Sequence, residues 1–377
     1  KIIVLYPFVY DTTKTATLNP NEVVKFKNEY LKDFLPYTKN FFGDYHTLDT
    51  INKPMTLPAV YNNSSVSTLD FFKESKIKEQ INIEKIEYFL FEKSIGILSI
   101  CFDLPKDLTD EEYLLYHQKL TTIEKRSKQN IKTSSQEEFK YYYQFIDSLL
   151  LNFCDSTKNI FSRSNLYSYN LLVTQHSDES YCSEKFLEPF LQYRTKLNNL
   201  AFEKFNQNHL QQTHNIHTIA NENVVGHIAI KSKEDENNFI EQEFFNKYQN
   251  NHFLTYLIAL YQTTKIEHLI IRAFLEGEDN KDLENMRNIK SDILYFIANG
   301  NFTKISNNSI RNNLYKFYRD NFEIKNLMEE IDTVSEKITN ELETILQDKQ
   351  AKTDEIRNLI LGIAGVVLAI IQIAQAM

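Results

Sequence analysis

Glycine and proline are scarce, with seven of each in 377 residues. So little glycine argues against a dinucleotide fingerprint, and no Gly-rich phosphate loop occurs. Cysteine is scarcer still. Cys101, Cys154 and Cys182 are widely spaced, with no Cys-x-x-Cys pair. That pattern excludes a disulfide framework and reads as a reducing compartment. Positive charge is in deficit: 42 Lys and Arg against 51 Asp and Glu leave a net charge of −9. No basic stripe stands out, so nucleic acid is not an expected partner. The first apolar stretch, Ile2 to Tyr10, lacks the basic run and small-residue cleavage site of a signal peptide, so none is expected.

What is abundant is aromatic. The chain carries 27 Phe and 22 Tyr within a 42% hydrophobic composition, enough for a packed core and unlike a disordered chain. Ile2 to Phe8 reads as a strand, and residues 11–80 as mixed and loop-rich. Tyr88 to Phe102 reads as two strands joined in a tight hairpin at Glu92–Ser94, with Gly96 near the turn. Asp107 or Thr109 then caps a helix running to about Arg126, with Asp110, Glu111 and Glu112 in its first turn, where the helix dipole favours negative charge. Residues 127–137 look like a loop, and Phe139 to Phe153 is apolar at helical spacing. Asn165 to Val173 and Val224 to Ile230 are strand-like, and Phe186 to His209 is expected to be helical. From Glu234 the chain turns helical, and an apolar stripe from Phe253 through Tyr261 continues to about Phe274. Strands interleaved with helices predict an α/β or α+β domain.

The C-terminal third carries the clearest pattern. From Ile310 to Met377 there is no Pro, and no Gly before Gly362. Ile324, Leu327, Ile331, Val334, Ile338 and Ile345 alternate at spacings of three and four, with one position missed at Glu341. That is a coiled-coil-like seam; it could join copies of the chain or pack on its own domain. One continuous helix over these 68 residues would be roughly 100 Å long at ~1.5 Å per residue, long enough to project from the domain.

Asn358 to Met377 holds 20 residues without a charge, the length that spans a bilayer core. Lys349, Lys352 and Arg357 precede it. Positive flanks stay on the cytoplasmic side, so the large N-terminal domain is expected to be cytoplasmic, beside the inner or cell membrane. Asn358, Gly362, Gly365, Ala369, Gln372 and Ala376 recur at four, three, four, three, four and form one small, polar face. The face could glue helices together or surround an aqueous axis; either use needs more than one copy.

Catalytic signals are poor. There is no Gly-x-Ser-x-Gly and no His-Glu-x-x-His, so no enzyme is expected. His209, His214 and His217 lie close in sequence, but no Cys or carboxylate stands at ligand spacing, and a polar loop is the expected reading. Glu323, Glu329, Glu330, Asp332 and Glu336 read as a solvated helix face. Meeting across protomers, such oxygen clusters would suit Mg²⁺ or another divalent cation.

This layout resembles the CorA-type divalent-cation channels and transporters. An α/β domain precedes paired helices (Asn238–Phe274, then Leu283–Ala298) and a long helix running into a membrane segment. The local likeness lies in IEYFLFEKSIGILSICF (Ile86–Phe102) and SIRNNLYKFYRDNFEIKNLMEEIDTVSEKI (Ser309–Ile338). The resemblance implies a homopentamer whose stalk helices form a funnel and whose Asn358–Ala376 face lines a pore. The family's Gly-Met-Asn signature and second membrane helix are not present, so the resemblance implies either a chain that continues past Met377 or a divergent member. Some divergent CorA-like proteins look like antiviral membrane effectors opened by a nucleotide-type ligand, which supplies an alternative function. A membrane-anchored binding domain without a pore is a further one. The expected organisation is a cytoplasmic α/β domain over 1–305, helical from about 234, then a stalk helix over 306–357 and a transmembrane helix over 358–377.

Overall fold

The computed structural model describes residues 1–10, 32–41, 59–63, 66–71, 80–91, 95–106, 108–122, 130–154, 166–174, 209–213, 215–231, 239–279 and 283–376, with side chains in the last helix described to Gly365. Two compact units emerge: 1–265 with 299–325, and 266–298 with 326–377.

The first unit is built on one sheet. Its strands are β1 (Ile2–Val9), β2 (Ala59–Asn63), β3 (Thr68–Asp70), β4 (Ile81–Phe91), β5 (Ile95–Asp103), β6 (Ile131–Thr133), β7 (Glu138–Phe139), β8 (Tyr167–Thr174), β9 (His209–Thr213), β10 (Ile216–Ala220) and β11 (Val224–Ile230). Their spatial order is β7-β6-β3-β4-β5-β1-β8-β11-β10-β9, with β2 also on β4. Only β8 with β11 is a parallel pair among these. The expected hairpin of Tyr88 to Phe102 is the antiparallel pair β4–β5, with Phe91 opposite Ile95; its turn lies outside the described residues.

Both faces of the central strands are covered, which explains their near-continuous apolar sequences. Alternate residues point to opposite faces. Ile2, Val4, Phe8, Tyr88, Leu90, Leu98 and Ile100 join one core, closed by α2 (Asp110–Thr121) and α3 (Tyr142–Leu150). The intervening Phe89 and Phe91 face the other way, meeting Phe253 at 6.0 Å and Tyr261 at 4.4 Å between ring centroids. Gly96 sits opposite Phe8 in the ladder, and a Cβ there would come within 2.4 Å of the Phe8 ring. The glycine is therefore needed for close approach.

Thr109 caps α2. Its hydroxyl accepts from the Glu112 amide at 3.3 Å while the Glu112 carboxylate accepts from the Thr109 amide at 2.9 Å, a reciprocal capping box. The helix stops at Thr121, short of Arg126. Residues 127–137 are not all loop, since β6 falls inside them. The helix expected over Phe186 to His209 lies outside the described residues, except that His209 opens β9.

Helices follow the sheet. They are α4 (Phe239–Asn246), a π-helical turn (Lys247–His252), α5 (Phe253–Asp279), α6 (Leu283–Asn299), α7 (Ser309–Asn321) and α8 (Ile324–Ala376); α1 (Pro36–Phe41) lies early in the chain. The apolar stripe of α5 is buried from Phe253 through Tyr261, but Phe274 at its far end is exposed. Arg272 and Asp292 pair at 2.7 Å and tie α5 to α6 within the second unit.

The long helix differs from expectation in one respect: it is broken. Glu323 takes the left-handed backbone conformation at φ 52°, between α7 and α8. Phe322, beside it, is buried with its ring 5.6 Å from that of Tyr256. Packing of this aromatic stops α7 where no Gly or Pro marks an end. The remaining α8 still runs 53 residues, roughly 80 Å at ~1.5 Å per residue.

Candidate functional site

The C-terminal residues singled out above divide by position. Asn358, Gly362 and Gly365 lie on α8, exposed, with open space around both glycines. Ala369, Gln372 and Ala376 continue the same helix, and their side chains lie outside the described residues. Among the described residues, no helix is long and apolar enough to cross a membrane. The 20-residue run from Asn358 extends past that limit, to Met377. What is described of it is apolar and uncovered: Leu359, Ile360, Leu361 and Ile363 are all exposed.

The seam divides too. Ile324, Ile331 and Ile338 are buried within the single chain, and Leu327, Val334 and Ile345 are half-buried. Leu342, one residue after the missed Glu341, is also buried. Glu323, Glu329, Glu330, Asp332 and Glu336 are exposed, as a solvated face requires. Among the described residues, no group of three or more His, Cys, Asp or Glu could hold a metal ion. His209 and His217 lie on paired strands rather than in a loop. Their rings stack at 5.3 Å with a 3.0 Å contact between Nε2 of His209 and Nδ1 of His217. Burial, then the neighbouring His217, lowers the His209 pKa. His214 and Cys182 lie outside the described residues; Cys101 and Cys154 are buried free thiols.

The densest polar arrangement is one that sequence spacing did not reveal. His227, on β11, is fully buried between β10 and α7. Its Nδ1 lies 2.7 Å from the Thr218 hydroxyl and its Nε2 lies 3.0 Å from the Tyr318 hydroxyl. Thr218 also accepts from the Gln212 amide at 2.7 Å, and Tyr248 donates to the Gln212 carbonyl. Tyr169 donates to the Tyr248 backbone carbonyl at 2.8 Å. One assignment satisfies each group in turn: Gln212 donates to Thr218, Thr218 to Nδ1 of His227, and Nε2–H of His227 to Tyr318. Around this chain the rings of Tyr169 and Tyr248 lie 4.8 and 4.7 Å from His227.

Burial, then the charge of His252, holds the His227 pKa well below its ordinary value, so the ring is neutral near pH 7. Burial raises the Tyr169 and Tyr318 phenols well above theirs. A neutral imidazole with both nitrogens engaged is suited to pinning elements together. It joins the sheet at β10 and β11 to α7, the helix that precedes α8.

A second set of bonds holds α7 from below. Gln262 donates to the Gly300 carbonyl at 2.7 Å and accepts from Tyr315 at 2.7 Å. Arg319 reaches the carbonyl of Phe302 and the side chain of Asn301. The Asn299–Asn301 segment is thus a junction held by α5 and α7.

Comparison of the chain with protein-family models, curated proteins and solved structures finds no match.

Proposed function

We propose that the chain is one subunit of a CorA-like homo-oligomeric membrane channel, with the N-terminal α/β unit controlling a pore built from the ends of α8. The observation that carries this reading is the uncovered apolar end of a continuous helix. Ile356, Leu359, Ile360, Leu361 and Ile363 are each more than half exposed, and all but Leu361 form one stripe opposite the small, polar face. An apolar surface of this kind is stable in lipid or against other copies, not in water. Its small and polar face at Asn358, Gly362, Gly365, Ala369, Gln372 and Ala376 then turns toward neighbouring copies, where small residues allow close approach. The basic flank of Lys349, Lys352 and Arg357 keeps the N-terminal unit in the cytoplasm.

No catalytic step is invoked. Control is mechanical: α7 is pinned to the sheet through His227 and Tyr318, and two residues separate its end from the start of α8. The test is ion flux through liposomes containing the full chain. Gly365→Leu or Gln372→Leu should reduce flux severalfold by filling or drying the axis. Unchanged flux in both would remove this face from the pore. No flux under any condition would leave the anchor reading.

A further inference from the structure

The first turn of α7 holds an arginine that is buried without a proper counter-charge. Arg311 is 3% exposed. Its ion-pair partner is Asp33, with Oδ2 at 3.8 Å from Nη2, and Asp33 is itself exposed to solvent. Charge-assisted hydrogen bonds run at about 2.7–2.9 Å, so this pair is loose. Nε and Nη1 have no hydrogen-bond partner. The guanidinium is nonetheless held, since its Cζ lies over the Phe34 ring, 4.3 Å from the ring centroid. Phe34 is fixed in turn by bridging to Ser306 and by the Leu35 amide, which donates to the Ile305 carbonyl at 2.9 Å.

A second buried polar atom is also without a partner. His252 closes the π-helical turn, and its Nδ1 is buried with no hydrogen-bond partner. Burial, then the charges of Arg311 and Lys247, pushes its pKa down to about 3. Both of these charges are positive. The backbone amides of Ile310 and Arg311 are already taken by the Asn308 side chain, at 2.9 and 3.3 Å. Ligand donors here are therefore side chains, with the positive end of the α7 dipole behind them.

Burying a guanidinium with two donor atoms unmet is expensive, and an unpaired buried charge is more so. A planar fork of N–H groups, held over an aromatic ring, matches the oxygens of a phosphate. We infer that Arg311 anchors a binding site for a phosphate-class oxyanion. The site stands whether or not α8 enters a membrane. If it does, the anion binds on the helix that leads into α8, and supplies the kind of ligand input a signal-gated pore requires.

The experiment uses the full chain in detergent with ¹³C-labelled histidine. Inorganic phosphate and pyrophosphate are titrated against acetate and chloride at matched ionic strength. The midpoint of thermal unfolding should rise saturably with phosphate or pyrophosphate, and the His252 resonance should move toward the protonated form. Arg311→Met should lose that response, with affinity weakened by on the order of tenfold or more. Asp33→Asn, which removes the loose competitor, should tighten binding, and it keeps the test decisive if Arg311→Met does not fold. An equal rise with chloride, a response to acetate alone, or a response retained in Arg311→Met would each overturn the proposal.

Discussion

Mild acid should destabilise the N-terminal unit, well above the pH at which most carboxylates protonate. His227 is buried, and its folded-state pKa lies well below the unfolded value of about 6.5. A depressed histidine is neutral in the folded chain and takes up a proton when the chain unfolds. Its contribution is therefore fully present above pH ~6.5 and is lost as the pH falls toward the folded-state pKa. By pH 5 part of this contribution is lost. His209 and His252 are shifted in the same direction. Both are partly exposed, so solvent screening reduces their share. Denaturation of the solubilised full chain at pH 7.5, 6 and 5 reads the slope. His227→Gln can keep a hydrogen bond to Tyr318 but does not titrate. It should cost about 1–3 kcal/mol at neutral pH and flatten the slope by up to ~1.4 kcal/mol per pH unit. An unchanged slope would show that His227 is not the group that senses acid.

Leu368→Arg should release the chain from membranes. Leu368 lies near the middle of the uncharged run, where an arginine opposes insertion by about 2.5–3.5 kcal/mol. Leu346→Arg, on the same helix but upstream of the basic flank and already exposed, should leave the chain in the membrane fraction. The comparison is made on alkali-washed membranes. Release by both substitutions would mean that α8 is held by its length rather than by its apolar end. Release by neither would mean that Asn358–Met377 does not anchor the chain.

Strands were legible where burial on both faces leaves an unbroken apolar run. Ile2–Val9, Ile95–Asp103 and Val224–Ile230 were all expected within a residue or two. The first half of β4 was less visible because it alternates. Ile81, Ile83 and Ile86 point inward while Asn82 and Glu84 do not, so charge interrupts the apolar signal. Strands of two or three residues, such as β6 and β7, are too short to carry any periodicity. The polar edge strand β9 reads as loop, because only one of its neighbours is a strand and its side chains stay partly wet.

The histidine network was hidden for a different reason. Its groups come from β8, β9, β10, β11, the π-helical turn and α7, and only the sheet order brings them together. β8 lies beside β11 through a parallel pairing that no local pattern announces. Arg311 looked like one more polar residue on an amphipathic helix. Its burial depends on the segment around Phe34, which comes from the other end of the chain. The break at Glu323 was illegible because it follows from the packing of Phe322 on distant rings and not from a helix-breaking residue. The C-terminal pattern shows the opposite case. Its regular spacing was plain in the sequence, and part of the seam at Ile331 and Ile338 is used inside the single chain.

The measurement that bears most directly on the proposed channel is the mass of the intact, detergent-solubilised protein. A complex near five times the 44.5 kDa chain is expected, held together in part by the Asn358–Ala376 face. A monomer would contradict it, because one helix cannot enclose an axis, and the apolar end of α8 would then serve as an anchor alone.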